Sequence, residues 1–303
     1  MAPAQEPTPG DGPRDGGPTV GVIGLGAIGD GVARSVDAAG LPLVVFDIVS
    51  EATGRHADHA TVAASPAELA RASDVVVVAV VDDAQVHAVL SGADGALAAG
   101  GPGTTFLVVS TITSACVRAI GAEAAAAGVG IVDCGVSGGP SAAASGELIC
   151  MAGGDEAVLE SLAPVLDAIG SLTVRMGPFG TGLAAKLARN LVQYGGWLAA
   201  YEGQLLAEAA GIELSRLAQV IRASDAKIGG ASALMFRPTV APFTDADDAG
   251  FVAAMRNGAD LAHKDLLAAL ALAGELDVDL PLAGMTEARA DDIFGVGGMG
   301  EGR

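Results

Sequence analysis

The sequence predicts an α/β protein: an N-terminal doubly wound sheet, then an all-α C-terminal domain joined to it by a long helix. Three observations carry this. From Thr19 to about Met176, short Val/Ile-rich runs alternate with Ala-rich stretches, and strand–helix alternation builds a sheet with helices on both faces. Several runs are continuously apolar, as strands covered on both faces must be. After Gly182 the runs stop and helical patterning takes over.

Taken in order, the strand runs are Thr19–Ile23, Leu43–Asp47, Asp74–Val80, Thr105–Val109, Gly130–Asp133, Leu148–Met151 and Leu172–Met176. Gly40 stands where a left-handed residue would close the first helix. Ser65-Pro66-Ala67-Glu68 is a capping box with proline at the first helical position. Leu183–Ala210 contains no proline and is weakened only by Gly195, Gly196 and Gly203, so it reads as one long helix. Further helices are expected around Leu214–Ala223 and Ala249–Ala273, and the glycine-rich end from Phe294 to Arg303 is expected to fray. Residues 1–17 are rich in Pro, Gly and acid and lack the apolar segment of a signal peptide; they read as a disordered tail. The domain expectation is therefore a tail over 1–17, a dinucleotide-binding domain over 18–180, and a helical substrate and oligomerisation domain over 181–303.

Bulk properties narrow the function. Half of the 303 residues are apolar but only 3% are aromatic, so the core must be built from Ala, Val, Leu and Ile. A net charge of −20 argues against nucleic acid and anionic membrane partners, and serves solubility. The longest apolar run, Val75–Val81, is far too short to span a bilayer. Cys116, Cys134 and Cys150 form no disulfide framework and no zinc spacing, which fits a reducing, cytoplasmic setting.

The turn Gly24-Leu25-Gly26-Ala27-Ile28-Gly29 directly follows an apolar run and opens a helix. That context turns a weak glycine pattern into a Rossmann-type phosphate turn. Gly24 permits the tight turn, Gly26 lets the backbone approach a pyrophosphate, and Gly29 allows close helix–strand packing. The helix start then offers N–H groups and a positive dipole end. Asp47 ends the second strand, 18 residues after Gly29. An acid there accepts ribose hydroxyls and repels a 2′-phosphate, and the first arginine beyond it is Arg55. NAD is therefore expected over NADP.

Lys186 and Asn190 are four apart and share a helix face, which Tyr194 continues. The chain has three lysines, Lys186, Lys227 and Lys264, against thirteen arginines. Lysine can release its proton when its surroundings depress its pKa; arginine effectively cannot. Lys186 is thus a candidate general acid/base.

Four motifs in this order resemble the β-hydroxyacid dehydrogenase family, the 3-hydroxyisobutyrate dehydrogenase-like enzymes. They are the Gly24–Gly29 turn, Asp133-Cys134-Gly135-Val136-Ser137-Gly138-Gly139, Gly180-x-Gly182-x-x-x-Lys186-x-x-x-Asn190, and Lys264-Asp265-Leu266. The resemblance runs from about Thr19 to Leu282. It implies reversible hydride transfer between NAD and a small β-hydroxyacid, with Lys186 and Asn190 catalytic. It further implies that Ser137, Gly138 and Gly139 bind the substrate carboxylate. Val80, Val81, Thr111 and Lys264 join Gly24–Gly29 and Asp47 in holding the cofactor. A homodimer or homotetramer is implied too. The chain departs from the family at Val80-Val81, where Leu-Pro is usual, at Gly135 for Pro, at Asn257 for Phe and at Arg189 for a small polar residue. If Arg189 and Asn257 line the site, they favour a more polar or more anionic substrate than a branched hydroxyacid.

Three rivals differ in their needs. A decarboxylating enzyme of the 6-phosphogluconate dehydrogenase type resembles Asn190–Gly195, but carries His and Glu where this chain has Arg189 and Gln193. Imine reductases share the architecture and typically lack the lysine. A non-catalytic NAD-binding protein would have no reason to keep Ser137, Lys186 and Asn190 together. His56 and His59 are assigned to a surface helix, His87 to a helix flank and His263 to the neighbour of Lys264. None of them is read as catalytic, and no metal-ligand spacing is present.

Overall fold

The computed structural model describes residues 17–297, Ala93 and Phe236 apart. The tail expected over 1–17 lies outside them except for Gly17, as does the chain end from residue 298 onward.

The first part runs β1 (Val20–Ile23), α1 (Gly29–Ala38), β2 (Leu43–Phe46), α2 (Ser50–Gly54), β3 (Thr61–Val62), α3 (Pro66–Arg71), β4 (Val75–Val78), α4 (Asp83–Leu90), α5 (Ala96–Ala99), β5 (Thr105–Val108), α6 (Ser114–Ala127), β6 (Gly130–Ser137), α7 (Gly139–Ala144), β7 (Leu148–Gly153), α8 (Glu156–Ser161), α9 (Ala163–Ile169) and β8 (Gly170–Gly177). Helices α10 (Thr181–Ala209), α11 (Leu214–Ile228), α12 (Ala249–Glu275), α13 (Pro281–Glu287) and α14 (Ala290–Ile293) follow. The described residues fall into two compact units, divided after Arg189, inside α10.

The strands form one sheet in the order β3-β2-β1-β4-β5-β6-β7-β8. β1 to β6 are mutually parallel; β7 runs antiparallel to β6, and β8 follows β7. The continuous apolar runs have a direct cause. On β4, Val75 and Val77 enter one buried cluster, with Val22, Val32 and Leu107, while Val76 and Val78 enter another, with Leu69, Phe106 and Ile120. Both faces of the sheet are core, so neither parity of residue can be polar.

Local signals work as their chemistry requires. Gly40 has φ 75° just beyond α1. Ser65 Oγ accepts the Glu68 N–H at 3.1 Å, and the Glu68 carboxylate reaches back to the Ala64 N–H at 2.8 Å. Two differences from expectation concern the sheet. β3 is an added edge strand of two exposed residues, too short to leave a periodic pattern. β6 continues four residues past Asp133 because β7 pairs with Cys134–Ser137 and supplies its ladder.

In the second unit, Phe243, Val252, Ala259 and Val296 form a small core. Val296 sits in the segment expected to fray. It is buried there, and the Phe243 N–H donates to the Gly295 carbonyl at 2.8 Å. Phe294 packs against the same cluster, so the described part of this end is docked by two apolar side chains. The buried carboxylate of Glu202 accepts the Leu282 and Ala283 N–H groups at 2.7 and 3.0 Å and so caps α13. Among the described residues no helix is long and apolar enough to cross a membrane.

Candidate active site

Strand register places most of the expected site residues along one edge. Ile23 pairs with Phe46 and Val78, Val78 with Val108, and Val108 with Asp133. The carboxyl ends of β1, β2, β4 and β5 are thus level. Gly24, Asp47, Val80 and Thr111 all follow within three residues of those ends. β6 alone projects further, carrying Ser137 past that row.

The glycine turn can be tested atom by atom. A Cβ on Gly29 would lie 1.8 Å from the Gly24 carbonyl oxygen, and one on Gly24 would lie 2.7 Å from that of Ala79. Those two glycines are required by packing. A Cβ on Gly26 would meet nothing within 4 Å, so its exposed backbone opens onto free space. Ile28 gives the first turn of α1 no side-chain cap. A tight turn with one open glycine before an uncapped helix start fits a pyrophosphate. Leu25 belongs to the hydrophobic core through its side chain, so only its backbone faces the turn.

Asp47 bridges that turn to β2. Its Oδ2 accepts the Leu25 N–H at 2.6 Å and its Oδ1 the Val49 N–H at 2.8 Å. Arg55, eight residues on in sequence, reaches the next peptide of the turn and donates to the Leu25 carbonyl at 3.1 Å. Asp30, in the first turn of α1, pairs with Arg55 at 3.1 Å and with Arg34 at 2.9 Å; against partial burial, its hydrogen bond with His56 and then the two arginines hold its carboxyl below the usual range. His56, assigned from sequence to a surface helix, is only 1% exposed. Its Nε2 meets Asp30 and its Nδ1 meets His59. The turn of chain after α2 brings it against Asp30 in the first turn of α1, a tertiary contact with no local signature.

Val80, Val81 and Thr111 lie on two loops stitched together. The Val80 N–H donates to Ser110 Oγ, whose hydroxyl donates to the Val78 carbonyl. Asp83 accepts both the N–H and the hydroxyl of Thr113. Val81 and Thr111 are exposed beside these bonds.

Ser137 is buried at the end of β6, where Gly138 and Gly139 turn the chain with φ 124° and 72°. No L side chain takes those angles without strain. A Cβ on Gly139 would meet open space, so the backbone there can approach a ligand. The Lys186 ammonium donates to the Val136 carbonyl at 2.6 Å, one residue before Ser137. Burial holds the Lys186 pKa below that of a free lysine, and Arg189 adds to the effect. An amine made easier to deprotonate therefore stands beside a glycine turn suited to an anion.

Asp133, in sequence only the head of the motif that ends at Gly139, has a structural part of its own. Its fully buried carboxylate accepts the N–H groups of Gly180 and Leu183, each at 2.6 Å, at the start of α10. Burial pushes its pKa up against these bonds. In the second unit, Asn190 is half-buried one helical turn after Lys186, with Tyr194 a turn later. Lys264, on α12, is exposed and pairs with Asp265 at 3.2 Å. Among the described residues no group of His, Cys, Asp and Glu could hold a metal ion.

Comparison with known proteins extends this geometry. Residues 19–177 match the family described as the NAD binding domain of 6-phosphogluconate dehydrogenase. Residues 180–298 match the NAD-binding family of NADP-dependent 3-hydroxyisobutyrate dehydrogenase. The chain is 40% identical to an uncharacterized oxidoreductase of Mycobacterium tuberculosis, over 92% of this chain and 94% of that one. It is 38% identical to an L-threonate dehydrogenase of Cupriavidus necator, over 67% and 69% of the two chains. Among solved structures it is similar to a 3-hydroxyisobutyrate dehydrogenase of Mycobacterium tuberculosis determined with L-serine. There the TM-score is 0.64 at 28% identity, covering 90% of this chain and 92% of that one.

Proposed function

Given that the chain belongs to the β-hydroxyacid dehydrogenase family of nicotinamide-dependent oxidoreductases, we propose that it interconverts a small, polar β-hydroxyacid and its carbonyl form with NAD, using Lys186 as general acid/base. The observation that carries the reading is the Lys186 ammonium on the Val136 carbonyl, next to Ser137–Gly139. Gly24–Gly29, Asp47, Val80, Val81, Thr111 and Lys264 would hold the cofactor, which when bound supplies the hydride acceptor or donor. Ser137 with the Gly138 and Gly139 backbone would take the substrate carboxylate, and Asn190 would orient the substrate by hydrogen bonds. In oxidation neutral Lys186 accepts the hydroxyl proton; in reduction the ammonium returns it. The polar class of substrate is supported by the likeness to an L-threonate dehydrogenase and by the charge of Arg189 beside Lys186. A panel of small hydroxyacids and semialdehydes, assayed by reduced-nicotinamide absorbance, tests it. Turnover of a polar β-hydroxyacid is expected; turnover of amines or imines alone would overturn it.

The preference for NAD rests on Asp47. Its anion stands by the turn, and the one nearby cation seen at Leu25, Arg55, is already paired with Asp30. A 2′-phosphate beside an uncompensated carboxylate costs several kcal/mol. We therefore expect kcat/KM at least roughly tenfold higher with NAD than NADP, and an NADP preference would contradict the ribose assignment.

Assembly as a homodimer or homotetramer belongs to the same reading. Leu191, Tyr194, Trp197 and Tyr201 are all more than half exposed on α10, as are Val220 and Ile228 on α11. Apolar surface of that extent marks contact surfaces. Light scattering behind size exclusion should give two or four chains; a monomer at micromolar concentration would overturn the assignment. A cytoplasmic setting completes the reading, supported by three cysteines that are all free and buried.

A further inference from the structure

The Asp133 carboxylate moves no proton in the scheme above, yet it is committed to the segment that carries Lys186. Helix caps ordinarily come from the residue just before the helix. Here the first N–H groups of α10 are taken by a side chain 47 residues earlier, on β6. Oδ1 accepts from Gly180 and Oδ2 from Leu183.

Around that anchor three chain segments meet backbone to backbone. A Cβ on Gly182 would lie 2.3 Å from the Asp133 carbonyl oxygen and 2.4 Å from that of Met151. One on Gly153 would lie 2.5 Å from Asp133 Oδ1 and 2.6 Å from the Gly182 nitrogen. One on Gly135 would lie 2.4 Å from the Lys186 Cβ and 2.9 Å from the Gly182 carbonyl oxygen. No side chain larger than hydrogen fits at any of these places without moving α10 off β6 and β7.

We propose that Asp133, with Gly135, Gly153 and Gly182, forms a socket that seats the start of α10 on the sheet and thereby sets where the Lys186 ammonium stands at the end of β6. Asp133 is then a positioning residue for the proton transfer, an inference that rests on the assignment of Lys186 above. The socket has a chemical consequence. It lays the lysine stem against the Gly135 backbone and takes part of it out of water. Burial is the first cause of the lowered Lys186 pKa, and Arg189 on α10 the second; Asp133, the charged group that β6 presents to the start of α10, is engaged by backbone N–H groups. Loosening the socket admits water, so the pKa of Lys186 rises.

The test uses the full-length enzyme as wild type, D133N, G135A and K186A. The measurements are the pH dependence of kcat/KM for hydroxyacid oxidation, NAD affinity and Tm. In D133N an amide N–H₂ faces a backbone N–H where an acceptor is required. Both D133N and G135A should keep NAD affinity and lose roughly tenfold or more in kcat, since small misplacements are costly. In both, the limb of kcat/KM that rises with pH should move to higher pH. Should D133N fail to fold, G135A puts the same question, because the added methyl presses directly on Lys186. A lowered Tm with kcat and limb as in the wild type, in either folded variant, would make the contact merely structural and overturn the proposal. If K186A itself keeps wild-type turnover, the assignment of Lys186 falls and the proposal with it. An inactive K186A beside an unshifted D133N overturns the socket alone.

Discussion

Replacing Lys186 by alanine is expected to lower kcat for hydroxyacid oxidation by roughly 10²–10⁴-fold, the usual contribution of a positioned general base, with NAD affinity and Tm little changed. Lys186 lies on the first two turns of α10, and its ammonium donates to the Val136 carbonyl. It is half-buried and its partner is an uncharged carbonyl, so its removal strands no partner charge. The nucleotide turn is built from β1, β2 and α1, and its hydrogen bonds run to Asp47 and Arg55, away from α10. Binding and turnover should therefore separate. Lys186→Arg adds a second arm. The guanidinium keeps the positive charge but holds its proton throughout the accessible pH range. Activity in that variant should be as low as in Lys186→Ala. If charge alone were the contribution of Lys186, arginine would restore most of the rate.

The second large effect concerns the glycine turn, where two neighbouring glycines are expected to respond in opposite ways. In Gly29→Ala the new methyl would need the space of the Gly24 carbonyl oxygen, 1.8 Å away. Backbone cannot swing aside as a side chain can, so the turn or the start of α1 must move. Overpacking of this kind costs about 1–3 kcal/mol. NAD affinity should fall at least roughly tenfold as well, because the backbone that must move is the one read to receive the pyrophosphate, and losing about 1.4 kcal/mol of binding is tenfold. In Gly26→Ala the methyl meets nothing within 4 Å. The fold should keep its wild-type Tm, and the methyl should instead obstruct the pyrophosphate that the open backbone is read to receive. Thermal melts and NADH fluorescence titrations report the two quantities separately. Wild-type NAD affinity in Gly26→Ala would contradict the placement of the pyrophosphate at this turn.

The parts of this molecule legible in the sequence are those whose cause is local. Val75–Val78 announces a strand buried on both faces because every residue is apolar, and Ser65–Glu68 announces its helix because the cap is made within four residues. The glycine turn belongs here too, since its steric demands arise between adjacent segments. What the sequence left unsaid depends on distant partners. Cys134 to Ser137 continue β6 only because β7 returns to pair with them. Arg55 and His56 reach the nucleotide turn through Asp30, 25 and 26 residues away, and nothing in their neighbours' pattern shows it. Asp133 was visible as the head of a motif, but its role at the start of α10 spans 47 to 50 residues. Gly135, conspicuous as a departure from the family pattern, acquires a physical meaning in the structure: it is where the stem of Lys186 touches β6.

Proton transfer by Lys186 is tested most directly by the pH dependence of kcat/KM in both directions of the reaction. With the wild-type enzyme, oxidation should rise and reduction should fall through one and the same pKa, lying below that of a free lysine because burial and Arg189 depress it. The neutral amine is the active form for oxidation and the ammonium for reduction, which fixes the two signs. In Lys186→Ala the residual rates should lose that titration. A residual activity that still titrates at the wild-type pKa would assign the proton transfer to another group and contradict the account.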